Sequence, residues 1–267
     1  MSQDPLLRVT QTGPVAIVTL DNPPANALTN ALYERLRALI QTLEEDRSVR
    51  AVIFNSAHPS IFVAGADIQA MANYDFSPAA VAGKIDLVQD TFLRVQRLSK
   101  PTIASIEGHA LGGGCELALC LDFRFMSRGR PRIGLPEANL GIIPGGGGTQ
   151  RLPGLVGRAQ ATRMMMLGER IDADEAERIG LVTAACEDPA ATRAAAHALA
   201  LRLAEMPSSS LRLIKACLND GYDRALDGGL EIERGAAAQA LLAPEAREGI
   251  DAFLQKRPAR FHAGESA

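Results

Sequence analysis

Between residues 7 and 127 short apolar runs alternate with stretches of helical period, and this alternation narrows the possible architectures more than any single motif does. LLRVTQ and VAIVTL flank Thr12-Gly13-Pro14 and predict a hairpin. Residues 29–46 begin at Thr29, a good N-cap, and place Leu32, Leu36, Leu39, Ile40 and Leu43 on one face of an amphipathic helix. AVIFNS predicts a short apolar strand, followed by a loop through Gly65. A second helix is expected over 78–98, stopped by Pro101, with further strands in TIASIEG and DFRFM. Strands and helices in this order predict an α/β core with right-handed connections. From about residue 148 the pattern turns helical, with segments at 158–167, 172–179, 190–205, 208–219, 223–241 and 245–255. Pro189, Pro207, Gly221 and Pro244 punctuate them.

Composition removes several function classes. A net charge of −3 offers no electrostatic case for nucleic acid or an anionic membrane surface. The most apolar stretch, 101–126, is interrupted by Glu107, His109, Glu116, Asp122 and Arg124, so it does not read as a spanning helix. Cys115, Cys120, Cys186 and Cys217 form no CxxC pair and have apolar neighbours, which predicts buried free thiols. The opening MSQDPLLRV has no apolar leader segment, and a cytoplasmic location is expected. His58, His109, His197 and His262 lack metal-ligand spacing.

Two glutamates bracket a glycine-rich tract: Glu116 in HALGGGCELA and Glu137 in IGLPEANLGIIPGGGGTQR. Two carboxyls on one side of a substrate can take a proton from water and place a proton on carbon, with no metal or organic cofactor. Gly112-Gly113-Gly114 runs into the helix CELAL, and Ala64-Gly65-Ala66-Asp67 lies at another loop-to-helix junction. Free amides at such junctions suit a developing oxyanion. The plainer alternatives are tight turns for the glycines, and acids placed at helix starts for Glu116 and Glu137. Gly145 to Gly148 lack a following GKS or GKT, which argues against a phosphate loop and for close backbone approach beside Glu137.

PPANALTNAL, FVAGADIQAM, IEGHALGGGCELAL, GLPEANLGIIPGGGGTQRLP and FLQKRPARF, in that order, resemble the enoyl-CoA hydratase/isomerase, or crotonase, family over roughly residues 5–262. The resemblance implies a spiral of strand–strand–helix repeats over 1–200 and a helical C-terminal trimerisation region over 201–267. It carries an oxyanion hole onto the amides of Ala66 and Gly113, and the acid–base pair onto Glu116 and Glu137. It places Ala25, Ala27, Ala64, Asp67, Ile68 and Gln69 along a CoA thioester, with Gly145 as an orienter and Lys256 reaching a phosphate. Capping of the helix 67–72 is the other reading of Asp67. CoA is then part of the substrate, no separate cofactor is required, and the assembly is a homotrimer or a dimer of trimers. The implied reaction is hydration of a trans-2-enoyl-CoA. Within the same fold the alternatives are an isomerase, which needs one carboxylate, and an RNA-binding relative, which calls for a Lys-rich face. Residues 29–50 instead mix Glu34, Glu44, Glu45 and Asp46 with Arg35, Arg37, Arg47 and Arg50. The acyl pocket is expected around residues 70–92 and Leu140 to Ile143.

Overall fold

The computed structural model describes residues 6–71, 73–222 and 224–261. β1 (Leu7–Thr12) and β2 (Val15–Leu20) pair antiparallel through a turn at Gly13, as expected. β3 (Ala27–Leu28) leads into α1 (Asn30–Glu45), where Thr29 caps the helix by accepting the Leu32 amide at 3.2 Å. Next come β4 (Ala51–Ser56), β5 (Ile61–Val63), β6 (Gly65–Ala66), the short α2 (Ile68–Met71) and the long α3 (Pro78–Arg97). β7 (Thr102–Ile106), β8 (His109–Leu111) and α4 (Gly113–Leu119) repeat the strand–strand–helix order. β9 (Phe123–Ser127), β10 (Ile133–Gly134) and α5 (Gly148–Met166) repeat it again. The chain closes with β11 (Arg170–Ile171), α6 (Ala173–Arg178), β12 (Ala184–Cys186), α7 (Pro189–Ala204), α8 (Ser208–Gly221), α9 (Leu226–Leu242) and α10 (Pro244–Leu254).

Each repeat sends its first strand to one sheet and its second to another, which makes the chain a spiral. The larger sheet has the order β1-β2-β4-β7-β9-β12, the smaller β11-β10-β8-β5, and β3 pairs with β6 alone. All pairings are parallel except β1 with β2 and β10 with β11.

The larger sheet is covered on both faces, so its central strands are apolar without a polar alternation. Val52 and Phe54 of β4 enter the main core with Leu32 and Leu36 of α1. Ala51 and Ile53, pointing the other way, join Val15, Ile103 and Phe125 against Ala196, Ala200 and Leu203 of α7. Two buried cations tie the outer helices to this frame. Arg124 donates to the carbonyls of Leu181 at 2.8 Å and Ala118 at 3.2 Å. Lys215 of α8 reaches Asp122 at 2.8 Å and the Lys100 carbonyl at 3.0 Å.

Several expectations need correction. The segment after residue 148 is not wholly helical: β11 and β12 fall within it, and β12 completes the larger sheet. α5 begins at Gly148 rather than residue 158, carries Pro153 inside, and bends at Gly157, where φ is 76°. Gly148, Pro153 and Gly157 occupy the start, the interior and the kink of one helical run. The loop through Gly65 contains β5 and β6. All four cysteines are free as expected, but only Cys115 and Cys120 are buried; Cys186, in β12, and Cys217, on α8, are partly exposed.

Candidate active site

Two backbone corners meet over one cavity. Gly112 turns β8 into α4 with φ 54° and ψ −124°, a conformation open to glycine. It leaves Gly113 as the first residue of α4, whose amide has no intrahelical acceptor. The facing corner is β6, held in place by β3: Ala27 registers with Gly65 and Leu28 with Ala66, and the Ala64 amide donates to the Ala25 carbonyl at 3.3 Å. A β-carbon on Gly65 would lie 3.3 Å from the Gly113 nitrogen, and one on Gly113 would lie 3.9 Å from the Ala66 nitrogen. The two amides expected to hold an oxyanion therefore adjoin. They line a cavity of about 330 Å³ together with Glu116 and Glu137.

Glu116 stands in the first turn of α4 and is 3% exposed. The amides of Gly146 and Gly148 both donate to its Oε1 at 2.8 Å. Burial pushes its carboxyl above the usual carboxylate range, while those amides and the Arg151 charge pull it back. Behind this cradle, Arg151 donates to the Gly146 carbonyl at 2.8 Å and to Gln96 Oε1 at 2.7 Å. Gln96 in turn donates to Asn219 of α8 at 3.0 Å and accepts from it at 3.1 Å. The second glycine run thus lies beside Glu116, not Glu137 as its place in the sequence implied. The loop after the 3-10 turn Glu137–Leu140 folds back across α4, which makes the residue distant in sequence the near one in space. Gly145 lines the cavity, and its carbonyl accepts from Gln89 at 2.9 Å.

Glu137 sits at the start of that 3-10 turn and reaches over Gly112; a β-carbon there would be 3.0 Å from its Oε1. Its Oε2 is buried and accepts no hydrogen bond from the protein. Burial raises its carboxyl to about 7 against the pull of its own backbone amide, and the charge of Glu116 adds a smaller upward push. One carboxyl is thus held by two amide donors, while the other is poised to carry a proton near neutrality. This division suits one base and one acid.

The other expected residues fall into place unevenly. Ala64 and Ile68 line the cavity. Ala25 and Ala27 run alongside Ala64–Ala66 without lining it. Asp67 caps α2, accepting the Ala70 amide at 2.9 Å. Gln69 lies on α2, and its side chain, like the whole of His262, is outside the described residues. Lys256 follows α10 at φ 52° and does not line the cavity. Its neighbour Arg257 pairs with Glu248 at 2.7 Å. Met71, Ile85 and Val88 line the cavity together with Leu140, Ile142 and Ile143. Several of these residues also line an adjoining cavity of about 860 Å³.

Sequence reasoning passed over Tyr33, Lys84 and Arg151. Tyr33 of α1 is buried edge-on to Phe92, with ring centroids 5.8 Å apart. Burial and the nearby Glu116 charge hold its hydroxyl protonated well above the usual range. Helical spacing could have found it, one position after Leu32 on the buried face. Among the described residues no three His, Cys, Asp or Glu side chains converge as a metal site. No described helix is long and apolar enough to cross a membrane.

Residues 10–264 match the enoyl-CoA hydratase/isomerase family, and the chain belongs to it. It is 37% identical over 248 residues to a crotonyl-CoA hydratase of Syntrophomonas wolfei, covering 92% of this chain and 94% of that protein. A short-chain-enoyl-CoA hydratase of Clostridium acetobutylicum is 37% identical over 246 residues, covering 92% of this chain and 93% of its own. The crystal structure of an enoyl-CoA hydratase from Bacillus anthracis superposes with a TM-score of 0.89 at 34% identity, covering 96% of this chain and 98% of that one.

Proposed function

We propose that this chain is a hydro-lyase that adds water reversibly across the double bond of a trans-2-enoyl-CoA, giving the 3-hydroxyacyl-CoA. The observation that carries this reading is the pair of carboxyls in one cavity with two adjoining backbone amides. The amides of Ala66 and Gly113 hold the thioester oxygen as negative charge builds on it, more strongly in the transition state than in the ground state. Glu116 orients the water and takes its proton as oxygen bonds to the β-carbon. Glu137 delivers its proton to the α-carbon. In the reverse direction the two exchange roles. CoA enters with the substrate, and the reaction calls on no other cofactor.

The substrate's CoA portion passes along Ala25, Ala27, Ala64, Asp67, Ile68 and Gln69, with Lys256 serving a phosphate, at the closest from a neighbouring subunit. Residues 201–267 form the assembly region of a trimer or a dimer of trimers. In support, α9 has no buried residue within one chain, and Leu241, Leu242 and Phe253 are at least 73% exposed. The setting is cytoplasmic acyl-CoA degradation, of fatty acids or related acyl groups. An RNA-binding role finds no support on α1, where Arg37 is held between Glu34 at 3.6 Å and Asp90 at 3.1 Å. The test is hydration of a series of enoyl-CoA thioesters from butenoyl to hexadecenoyl, followed by loss of the enone absorbance. No turnover with any of them sinks the reading.

A further inference from the structure

α3 turns Phe92 and Val95 fully into the core and Val88 partly, and the next position up that face is the half-buried Lys84. An ammonium on a core-facing stripe is costly unless something of opposite charge meets it. Here its partners are neutral. It donates to Asn30 Oδ1 and stands over the rings of Tyr33 at 4.9 Å and Tyr74 at 5.9 Å. Among the described residues no carboxylate pairs with it, and burial holds its ammonium below the usual lysine range. Lys84 nevertheless lines the same cavity as Glu116 and Glu137, and also the adjoining larger one. Tyr33, whose ring the ammonium stands over, lines that cavity beside the two glutamates.

We infer that Lys84 receives a carboxylate at the far end of the acyl group, so that the preferred substrates are mono-CoA thioesters of unsaturated dicarboxylic acids. This rests on the hydratase reading and narrows it to a substrate class. Met71, Ile85, Ile142 and Ile143 line both cavities with Lys84, an apolar stretch that suits a hydrocarbon chain between thioester and carboxylate. The countercharge that the protein withholds from Lys84 is then supplied by the ligand, and the two tyrosine faces keep the ammonium in place until it arrives.

The test compares kcat/KM for trans-2-enoyl-CoAs of equal chain length with and without a terminal carboxylate, in the whole protein and in Lys84→Met and Lys84→Arg variants. The unaltered protein should favour the acidic thioesters. Lys84→Met should lower kcat/KM for them by about 10- to 100-fold more than for the neutral series, the size of one charge-assisted hydrogen bond. Lys84→Arg should retain most of the preference. Calorimetric binding of glutaryl-CoA against butyryl-CoA should follow the same order, and Lys84→Met should melt no lower than the parent, which separates recognition from a folding defect. Neutral thioesters hydrated well and acidic ones poorly, or both series falling equally in Lys84→Met, overturns the inference while leaving the hydratase intact. Hydration of neither series overturns both.

Discussion

Gly146 stands so close to Glu116 that a β-carbon on the glycine would lie 2.7 Å from the carboxyl Oε2 and 2.8 Å from the Phe92 ring. Neither neighbour is free to retreat, since the carboxyl is held by two amides and Phe92 is fully buried. Gly146→Ala should therefore displace the base rather than merely crowd it. The expected result is a fall in kcat of about 10²-fold, as for a misplaced catalytic group, with an overpacking cost of roughly 1–3 kcal/mol. Steady-state kinetics and denaturant melts read the two separately.

Glu116→Gln and Glu137→Gln should each lower hydration by about 10²–10⁴-fold, since each loses proton transfer while keeping its size. CoA-thioester affinity should survive, because the oxygen is held by backbone amides. The double variant should be little slower than the worse single, as for groups acting in one concerted unit. Full activity in Glu116→Gln would falsify the two-carboxyl reading.

The raised carboxyl of Glu137 gives a pH signature in both rate and stability. Hydration needs its proton, so the forward rate should fall as pH rises through about 7. The folded state also binds that proton more tightly than the unfolded chain, whose carboxyl titrates near 4.5. The stability it contributes is complete below that value and is lost as pH rises toward about 7. Glu137→Gln should remove this part of the slope in a series of denaturant melts, and an unchanged slope would contradict the assignment.

Gly113→Pro deletes one of the two adjoining amides at a helix position where proline is otherwise tolerated. It should cost about 10²–10³ in kcat. Its β-carbon would meet Leu28 Cδ1 at 2.7 Å, the end of a side chain that can yield. Circular dichroism must show a folded protein for the result to count, and an unchanged kcat in that protein would remove the oxyanion role.

Much of this was legible where the cause is local. Thr29 and the leucine face of α1, Pro78 at the start of α3, and Glu116 one turn into α4 are all set by neighbours in sequence. The smaller sheet was not, because β10 and β11 are two residues each and exist only through pairing with distant strands. The two glutamates could be named from the chain, but not the cradle. Gly146 meets Glu116 across 30 residues of sequence, and nothing in GGGG says which carboxyl it serves. Lys84 was invisible for a similar reason: its meaning comes from Tyr33 on another helix, not from the residues around it.

Assembly offers a further check. Light scattering at micromolar concentration should show a trimer or hexamer, and a stable monomer would count against the role given to residues 201–267.

The line of contacts from Glu116 through Gly146, Arg151 and Gln96 to Asn219 has a consequence for anyone who would redesign this chain. The C-terminal helices are not a handle to be trimmed or fused at will. α8 props the wall that holds Glu116, so a tag, truncation or grafted interface there alters chemistry four hydrogen bonds and a guanidinium away. Loss of turnover would be its first symptom, well before any loss of fold.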